Sequence, residues 1–207
     1  MSDKSKLIAF FRNSNLVSLD SAQEFTGHFT EKEFKRNDYL LTDRKINDNY
    51  FFLENGFMRA YTYDVNQNDV ATGFYSTGQI VFEVSSFFNR TISKENIQAL
   101  TNCQGWGITY EQLNMLFHTI PEFREFGRSI LVKGFTSLKI RMLSMINETA
   151  EERYVNVLKS SPEIFQSTSL KSVASYLGIT DTSLSRIRKK FSKKRLALSF
   201  LSFDKSL

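Results

Sequence analysis

The side chains of this sequence that are best suited to bind a charged ligand are basic residues close to its C-terminal end. Seven of the residues between 186 and 195 are basic: Arg186, Arg188, Lys189, Lys190, Lys193, Lys194 and Arg195. A cluster of one sign favours polyanions, because binding releases the counterions condensed on phosphate groups. The cluster predicts nucleic-acid binding, and a solvated charged helix face is the alternative.

The positive net charge of the chain also comes from its C-terminal part. Residues 149–207 carry 11 Lys and Arg against 5 Asp and Glu, which is +6. Residues 1–148 carry 16 against 17, which is −1. A partner rich in phosphate is therefore expected at the C-terminal part of the chain.

Other sources of chemistry are sparse. The single cysteine, Cys103, excludes an intramolecular disulfide framework and suits a reducing cytosol. The two histidines, His28 and His118, are far apart in sequence, so no metal-ligand cluster is expected. No nucleophile is paired with a base in a known pattern, and no apolar run approaches the roughly 18 residues of a membrane span. Neither an enzyme nor a cofactor is expected.

The cations must be positioned by the segment Ser169–Phe191. It predicts two short helices joined by a tight turn at Gly178, where positive φ costs a glycine little. The expected inward residues are apolar at helical spacing: Val173, Ala174 and Leu177 on the first helix, Leu184 and Ile187 on the second. This outline is typical of a DNA-reading helix-turn-helix, with an ordinary helical hairpin as the alternative.

A long helix upstream is expected to pair two copies of the chain. Pro121 can begin it, and no proline follows before Asn147. Five apolar residues spaced 4, 3, 4 and 3 apart form a heptad-like dimer seam: Leu131, Phe135, Leu138, Met142 and Met145. A helix of about 26 residues extends ~39 Å, longer than a small sheet domain covers. We expect a dimer here, with packing on the helix's own domain as the alternative.

Short strands are expected between about Phe29 and Thr109, after helices that Ser18 or Asp20 could cap. Asn55-Gly56 is a strong hairpin signal between two of the strands. The pattern predicts an antiparallel sandwich or barrel, with a phenylalanine-rich core because the chain contains 20 Phe. Further on, Thr149–Glu152 predicts a capping box, and the apolar tail Leu196–Phe203 predicts a strand or a packed wing.

The order of these elements resembles that of the Crp/Fnr superfamily of bacterial transcription regulators. The most specific matches are the helix-turn-helix, T-A-E-E-R-Y at Thr149–Tyr154, and L-G-I-T-D-T-S-L-S-R-I-R-K-K at Leu177–Lys190, which looks like the Bacteroidetes-type branch. The resemblance implies an α+β fold: an N-terminal antiparallel β jelly-roll of the cyclic-nucleotide-binding type, a long dimerisation helix and a C-terminal winged helix-turn-helix. The implied domains are residues 1–120, 121–148 and 149–207.

The resemblance also implies a function and its residues. It implies a cytoplasmic homodimer on a roughly palindromic operator in double-stranded DNA, with RNA polymerase as a further partner. The base contacts carried over from the family are Arg186, Thr182, Asp181 and Ser185, and the backbone contacts are Ser169, Thr180, Ser183, Lys189 and Lys190. Of these residues, only Arg186 carries a guanidinium group, which can donate two hydrogen bonds to one guanine base. Asp181 stands where many relatives have an arginine, and either it or Thr180 is expected to cap the helix.

The phosphate cassette of the family's cyclic-nucleotide binders is altered in this chain. Glu83 sits at the ribose-binding position, but Phe82 replaces the preceding glycine and Ser93 falls near the arginine position. Arg90 lies three residues too early, and Lys94 is a point charge rather than a planar fork. We expect weak or absent binding of cyclic nucleotide. The alternative is a receptor for another effector, whose pocket candidates are Glu83, Ser85, Ser86, Arg90 and Lys94.

Overall fold

The computed structural model describes residues 3–203, and the side chains of residues 3–192. The chain forms two compact units that divide between Arg141 and Met142. None of the described helices is long and apolar enough to cross a lipid bilayer.

Two short helices come first in the N-terminal unit, α1 (Ser5–Arg12) and α2 (Leu19–Gly27). The hydroxyl of Ser18 accepts a hydrogen bond from the backbone N–H of Ser21 at 3.2 Å. Ser18 therefore satisfies one of the free donors at the start of α2. The predicted helices are confirmed, with Ser18 rather than Asp20 as the cap.

Strands in the described residues form two four-stranded antiparallel sheets. They are β1 (Thr30–Phe34), β2 (Tyr39–Leu41), β3 (Asn49–Asn55), β4 (Phe57–Tyr63), β5 (Asp69–Ser76), β6 (Gln79–Val81), β7 (Asn96–Ala99) and β8 (Cys103–Thr109). One sheet has the order β1-β8-β3-β6 and the other β2-β7-β4-β5, all pairs antiparallel. The predicted antiparallel architecture is confirmed as a β-roll of two sheets.

The turn at Asn55-Gly56 is confirmed, but the hairpin expected around it is wrong. β3 pairs with β6 and β8, whereas β4 pairs with β5 and β7, so the turn carries the chain from one sheet to the other. Gly56 has φ +111°, and a Cβ there would lie 2.6 Å from Sγ of Cys103. Each flanking strand has four buried residues out of seven and one exposed residue, which suits a corner between two packed sheets better than an exposed hairpin.

The core of the N-terminal unit is rich in phenylalanine, as the composition predicts. Phe11 lies at its centre, with ring centroids 5.6 Å from Phe25, 5.8 Å from Phe29 and 4.8 Å from Phe126. These pairs are edge-to-face, the arrangement that the quadrupole of an aromatic ring prefers. A second, smaller core around Phe51 and neighbouring aliphatic residues fills the space between the two sheets.

Three helices connect and follow the strands: α3 (Val84–Asn89), α4 (Tyr110–Thr119) and α5 (Pro121–Asn147). Pro121 is the first residue of α5, where the missing N–H is no loss. The first turns of α5 bury Phe123 and Phe126 in the phenylalanine core. From residue 131 to residue 140, every position of α5 is exposed.

The C-terminal unit is helical in its described part. It comprises the last residues of α5 and then α6 (Ala150–Ser160), α7 (Ile164–Ser167), α8 (Leu170–Tyr176) and α9 (Asp181–Phe203). The predicted capping box is confirmed: Thr149 accepts from the backbone of Glu152, and the Glu152 side chain accepts from the backbone of Thr149.

The wing expected at the tail is not found. Residues 196–203 continue α9 as a helix, and no strand follows α8 within the described residues. From Asp181 to Phe203 the chain has neither glycine nor proline and is rich in Lys, Arg, Leu and Ser. Without a breaker, a helix that has begun at Asp181 continues at little cost per residue.

Candidate nucleic-acid interface

The helix-turn-helix core predicted from the spacing is confirmed. Val173, Ala174 and Leu177 are buried on the first helix, and Leu184 and Ile187 on the second, with Leu184 fully buried and Ile187 7% exposed. Ser169 caps α8 by accepting from the backbone N–H of Ser172. The apolar faces of α8 and α9 thus meet, and the opposite face of α9 is left to its polar side chains.

Two features hold the turn between α8 and α9 in place. Gly178 has φ +67°, and a Cβ there would lie 2.9 Å from Cε of Met145, which touches the turn from α5. The guanidinium of Arg153 donates to the carbonyl of Leu177 at 3.1 Å and to that of Glu148 at 2.6 Å. Arg153 therefore ties the turn to the junction between α5 and α6. Sequence reasoning missed this role, although the residue lies in the T-A-E-E-R-Y match.

The residues predicted to contact bases lie together on the exposed face of α9. Asp181, Thr182, Ser185 and Arg186 are all exposed. The hydroxyl of Thr180 accepts from the backbone N–H of Ser183 at 3.2 Å, so Thr180 is the cap rather than Asp181. The Asp181 carboxylate remains beside the helix N-terminus, where negative charge is favoured.

The predicted backbone-contact residues lie around the same face. Lys189 and Lys190 are exposed on α9, Thr180 and Ser183 lie at its start, and Ser169 is at the start of α8. Arg186 makes one described contact, a hydrogen bond from Nη2 to Oγ of Ser183 at 3.3 Å. Its fork is otherwise available to a ligand.

A cleft of about 640 Å³ lies between α9 and the first turn of α6. We call it the α6–α9 cleft, and it is lined by Thr149, Ala150, Glu151, Ser183, Arg186, Ile187 and Lys190. Both carboxylate oxygens of Glu151 accept hydrogen bonds from Nζ of Lys190, at 2.8 and 2.7 Å. The cleft therefore combines two cations, two hydroxyls and one carboxylate on the side of the unit that carries Arg186.

Among the effector-pocket candidates in the β-roll, Glu83, Ser85 and Ser86 are joined to one another and to neighbouring backbone groups by hydrogen bonds. The carboxylate of Glu83 caps α3, accepting from the N–H groups of Ser85 at 2.9 Å and Ser86 at 2.6 Å. The hydroxyl of Ser86 is buried and donates to the carbonyl of Thr91 at 2.6 Å. It also accepts from the backbone N–H of Asn47 at 2.8 Å. Glu83, Ser85 and Ser86 therefore lie together, and Ser86 connects the start of α3 to the backbone at Asn47 and Thr91.

Of the remaining two candidates, Arg90 joins this network through Asn47, and Lys94 does not take part in the hydrogen bonds described for it. Arg90 has φ +55° and donates to the carbonyl of Asn47 at 2.9 Å and to the carboxylate of Asp48 at 2.8 Å. Its guanidinium also stacks 4.3 Å from the ring centroid of Tyr110. Lys94 is exposed. The planar fork of Arg90 is thus already paired, so it is not available to a phosphate without losing these contacts.

The polar residues at the cassette contact one another and the neighbouring backbone. Ser93, near the arginine position, is buried, and its hydroxyl pairs with the backbone of Glu95. Burial is the largest effect on the Glu95 carboxyl and raises its pKa. The hydrogen bond with Thr72 lowers this pKa, and smaller effects follow from the charge of Glu83, which raises it, and of Arg141, which lowers it. Arg141 donates to the carbonyl of Thr72. Two carboxyl groups, those of Glu83 and Glu95, therefore lie close enough to interact in this region.

An apolar cavity of about 870 Å³ lies elsewhere in the N-terminal unit, between α5 and the strands β5 and β6. We call it the α5 cavity. Its walls include Phe74, Phe82, Leu131 and Leu138, and Lys133 is the cation among its lining residues. Sequence reasoning did not predict it, because the residues come from distant segments that the pattern of any one element does not connect.

The dimer-seam residues are all exposed. Leu131, Phe135, Leu138, Met142 and Met145 are each at least 39% exposed, and Phe135 reaches 71%. Large apolar side chains in a row along one helix are an unusual surface for a monomer.

Comparison with known proteins finds a family similar to the N-terminal part of the chain. Residues 31–119 match the model of the family described as "Cyclic nucleotide-binding domain". No curated protein sequence gives a significant match.

Solved structures share the fold over most of the chain. The c-di-GMP-responsive global regulator CLP of Xanthomonas campestris is 18% identical with a TM-score of 0.67, covering 86% of this chain and 94% of that one. FixK2 from Bradyrhizobium japonicum is 14% identical with a TM-score of 0.69, covering 80% and 85%. A protein described as a transcriptional regulator of the Crp/Fnr family, from Eubacterium rectale, is 11% identical with a TM-score of 0.68, covering 90% and 88%.

Proposed function

We propose that this chain, which carries a cyclic nucleotide-binding domain and shares its fold with Crp/Fnr-type regulators, is a homodimeric DNA-binding transcription regulator. In it, residues 1–120 act as a sensor, 121–148 as the dimerisation helix and 149–207 as the DNA-binding part. It acts on DNA in the cytoplasm, with RNA polymerase as a further partner and without a catalytic step. Cyclic AMP is not its effector.

One observation carries the DNA-binding part of the proposal. α9 buries Leu184 and Ile187 against α8 while it presents Arg186, Lys189 and Lys190 on its exposed face. A helix held by an apolar partner, with a guanidinium and ammonium groups facing outward, suits a major groove lined by phosphates. The exposed dimer seam on α5 supports the pairing of two chains. A dimer would present two copies of α9, one for each half-site of a roughly palindromic operator.

Replacing Arg186 by alanine tests this proposal. The loss of a bidentate guanine contact is expected to cost ~1–3 kcal/mol on the cognate site and to relax its specificity. The operator is first selected from random-sequence duplexes, and binding to it and to a scrambled duplex is then measured by gel shift over a salt series.

The matched control for Arg186 is Lys189→Ala, an exposed cation on the same helix. Loss of a phosphate contact is expected to weaken binding to all sequences alike and to reduce the salt slope by about one. If Arg186→Ala also lowers specific and non-specific affinity equally, it is a phosphate contact and not a base contact.

Cyclic AMP and cyclic GMP at millimolar concentration are expected to leave the thermal unfolding midpoint unchanged. The reason is that the cassette has buried Ser93 at the arginine position and a desolvated Glu95 beside it. A bound ligand at 100 times its dissociation constant would stabilise the fold by about 2.7 kcal/mol, which is several degrees in a domain of this kind. A midpoint that rises with nucleotide concentration, as in a cyclic-AMP-binding regulator run in parallel, would contradict the expectation.

A second function, an effector receptor, is favoured by the α5 cavity. Its volume of about 870 Å³ is in the range of small-molecule sites, and it lies against α5, which carries the dimer seam. A ligand there could alter DNA binding only if it bound two states of the dimer unequally. A metabolite that shifts both the unfolding midpoint and the operator affinity supports this function, whereas a lack of any shift favours a constitutive DNA binder.

A further inference from the structure

An acidic side chain lies within the basic surface of the C-terminal unit. Glu151, in the first turn of α6, directs both carboxylate oxygens to Nζ of Lys190 in α9, across 39 residues of sequence. Of the residues that line the α6–α9 cleft, Glu151 is the acidic one, and Arg186 and Ser183 lie in the same lining. A carboxylate has therefore been placed beside the groups proposed to meet DNA.

Folding stability accounts for only part of this placement, because a carboxylate in the first turn of α6 is favoured by the helix dipole whether or not it reaches Lys190. The side chain of Lys190 is 65% exposed and that of Glu151 43% exposed. An ion pair at this exposure contributes little to stability, because water and salt screen it and two side chains lose their freedom. Glu152, the neighbouring acid, has a structural task in the capping box, but Glu151 has none in that box.

We propose that Glu151 is an electrostatic guard of the DNA-binding surface. In the free protein it holds Lys190, and on DNA its charge lies close to phosphates that Lys190 and Arg186 attract. Lys190 must exchange its carboxylate for a phosphate, and the carboxylate then stays beside that phosphate. The guard thereby lowers affinity for every DNA sequence, and occupancy depends more strongly on base contacts such as Arg186.

A base-reading role is the competing explanation for Glu151. A glutamate can accept a hydrogen bond from the amino group of cytosine. The geometry favours the guard, because both oxygens already accept from Lys190 at 2.8 and 2.7 Å. The two roles give opposite results in one experiment.

The test is Glu151→Gln, which rests on the proposed function because it requires that the chain bind DNA. We expect affinity to rise about three- to tenfold at low salt, equally for the selected operator and a scrambled duplex, with a salt slope steeper by about one. The matched control is Glu163→Gln, which removes the same charge from the same unit but does not line the α6–α9 cleft. Circular dichroism and thermal melting establish that both variants fold.

A double-mutant cycle with Lys190→Gln shows whether Glu151 acts through Lys190 or only through its own negative charge. If Glu151 acts through Lys190, the gain from Glu151→Gln shrinks in the Lys190→Gln background. An undiminished gain, or equal behaviour of Glu151→Gln and Glu163→Gln, overturns the guard. A fall in affinity limited to the operator also overturns it and assigns a base contact. If the wild-type chain binds no duplex at all, it is the proposed function that fails.

Discussion

A chain with Leu138 replaced by aspartate is expected to be monomeric and to bind its operator about 10²–10⁴-fold more weakly than the wild type, because the two half-sites are then no longer bound by one molecule. Leu138 is 63% exposed in the single chain and lies centrally in the predicted dimer seam. In a symmetric dimer the substitution would bring two carboxylates to one apolar interface, one from each copy. Desolvating unpaired charges there costs far more than the association gains.

The measurement is molar mass by light scattering after size exclusion, followed by gel shifts on the full operator and on a half-site. Thr136→Asp is the matched control, because it adds the same charge to the same helix at an exposed position outside the seam. We expect the control to remain dimeric, and both variants to retain helical content. A Leu138→Asp chain that stays dimeric, or a wild-type chain that is already monomeric, would show that the seam does not hold two copies together.

The parts of the fold that could be predicted are those in which neighbouring residues determine the structure. The spacing of Val173, Ala174, Leu184 and Ile187 is enough to fix the helix-turn-helix core, since apolar residues at helical intervals must share one face. The capping box at Thr149 is equally local, because both of its hydrogen bonds join residues three apart.

Other elements could not be predicted because their cause lies far away in sequence. β1 has the sequence T-E-K-E-F, which is too charged to suggest a strand, but β8 supplies its hydrogen-bond partners from residues 103–107. Asn55-Gly56 predicts a hairpin because the turn residues are local, whereas the sheet that each flanking strand joins is decided by distant strands. Contacts with residues distant in sequence override the strand and turn preferences of such short segments.

The candidate sites divide in the same way. The exposed face of α9 follows directly from the buried one, so Arg186 and its neighbours could be named from spacing alone. The roles of Arg153 and Glu151 depend on partners 24 and 39 residues away, which no local pattern indicates. Charge makes Glu83 and Arg90 pocket candidates. The cap formed by Glu83 is local, but the partners of Arg90 lie 43 and 42 residues away and become visible only in the folded chain.

A chain with Leu184 replaced by alanine is expected to lose ~2–5 kcal/mol of stability in the C-terminal unit, because the methyl and methylene groups removed leave a cavity that the surroundings fill only in part. Leu184 is fully buried, as are Val173 and Ala174 of the predicted core. A unit of this size has a total stability of about 3–10 kcal/mol. The loss is therefore a large share of it, and DNA binding should fall with the folded fraction.

Hydrogen exchange followed by peptide mapping distinguishes this loss from an effect on the surface that reads DNA. Protection should fall across residues 142–203 in Leu184→Ala, while peptides from β3, β4 and β8 should keep theirs. Leu184→Met is the matched control, because it conserves volume and is expected to cost under ~1.5 kcal/mol. Ser185→Ala, one residue further on the exposed face, should leave protection unchanged. Equal protection in Leu184→Ala and the wild type would mean that α8 and α9 are not held by this core, and the helix-turn-helix assignment would lose its physical basis.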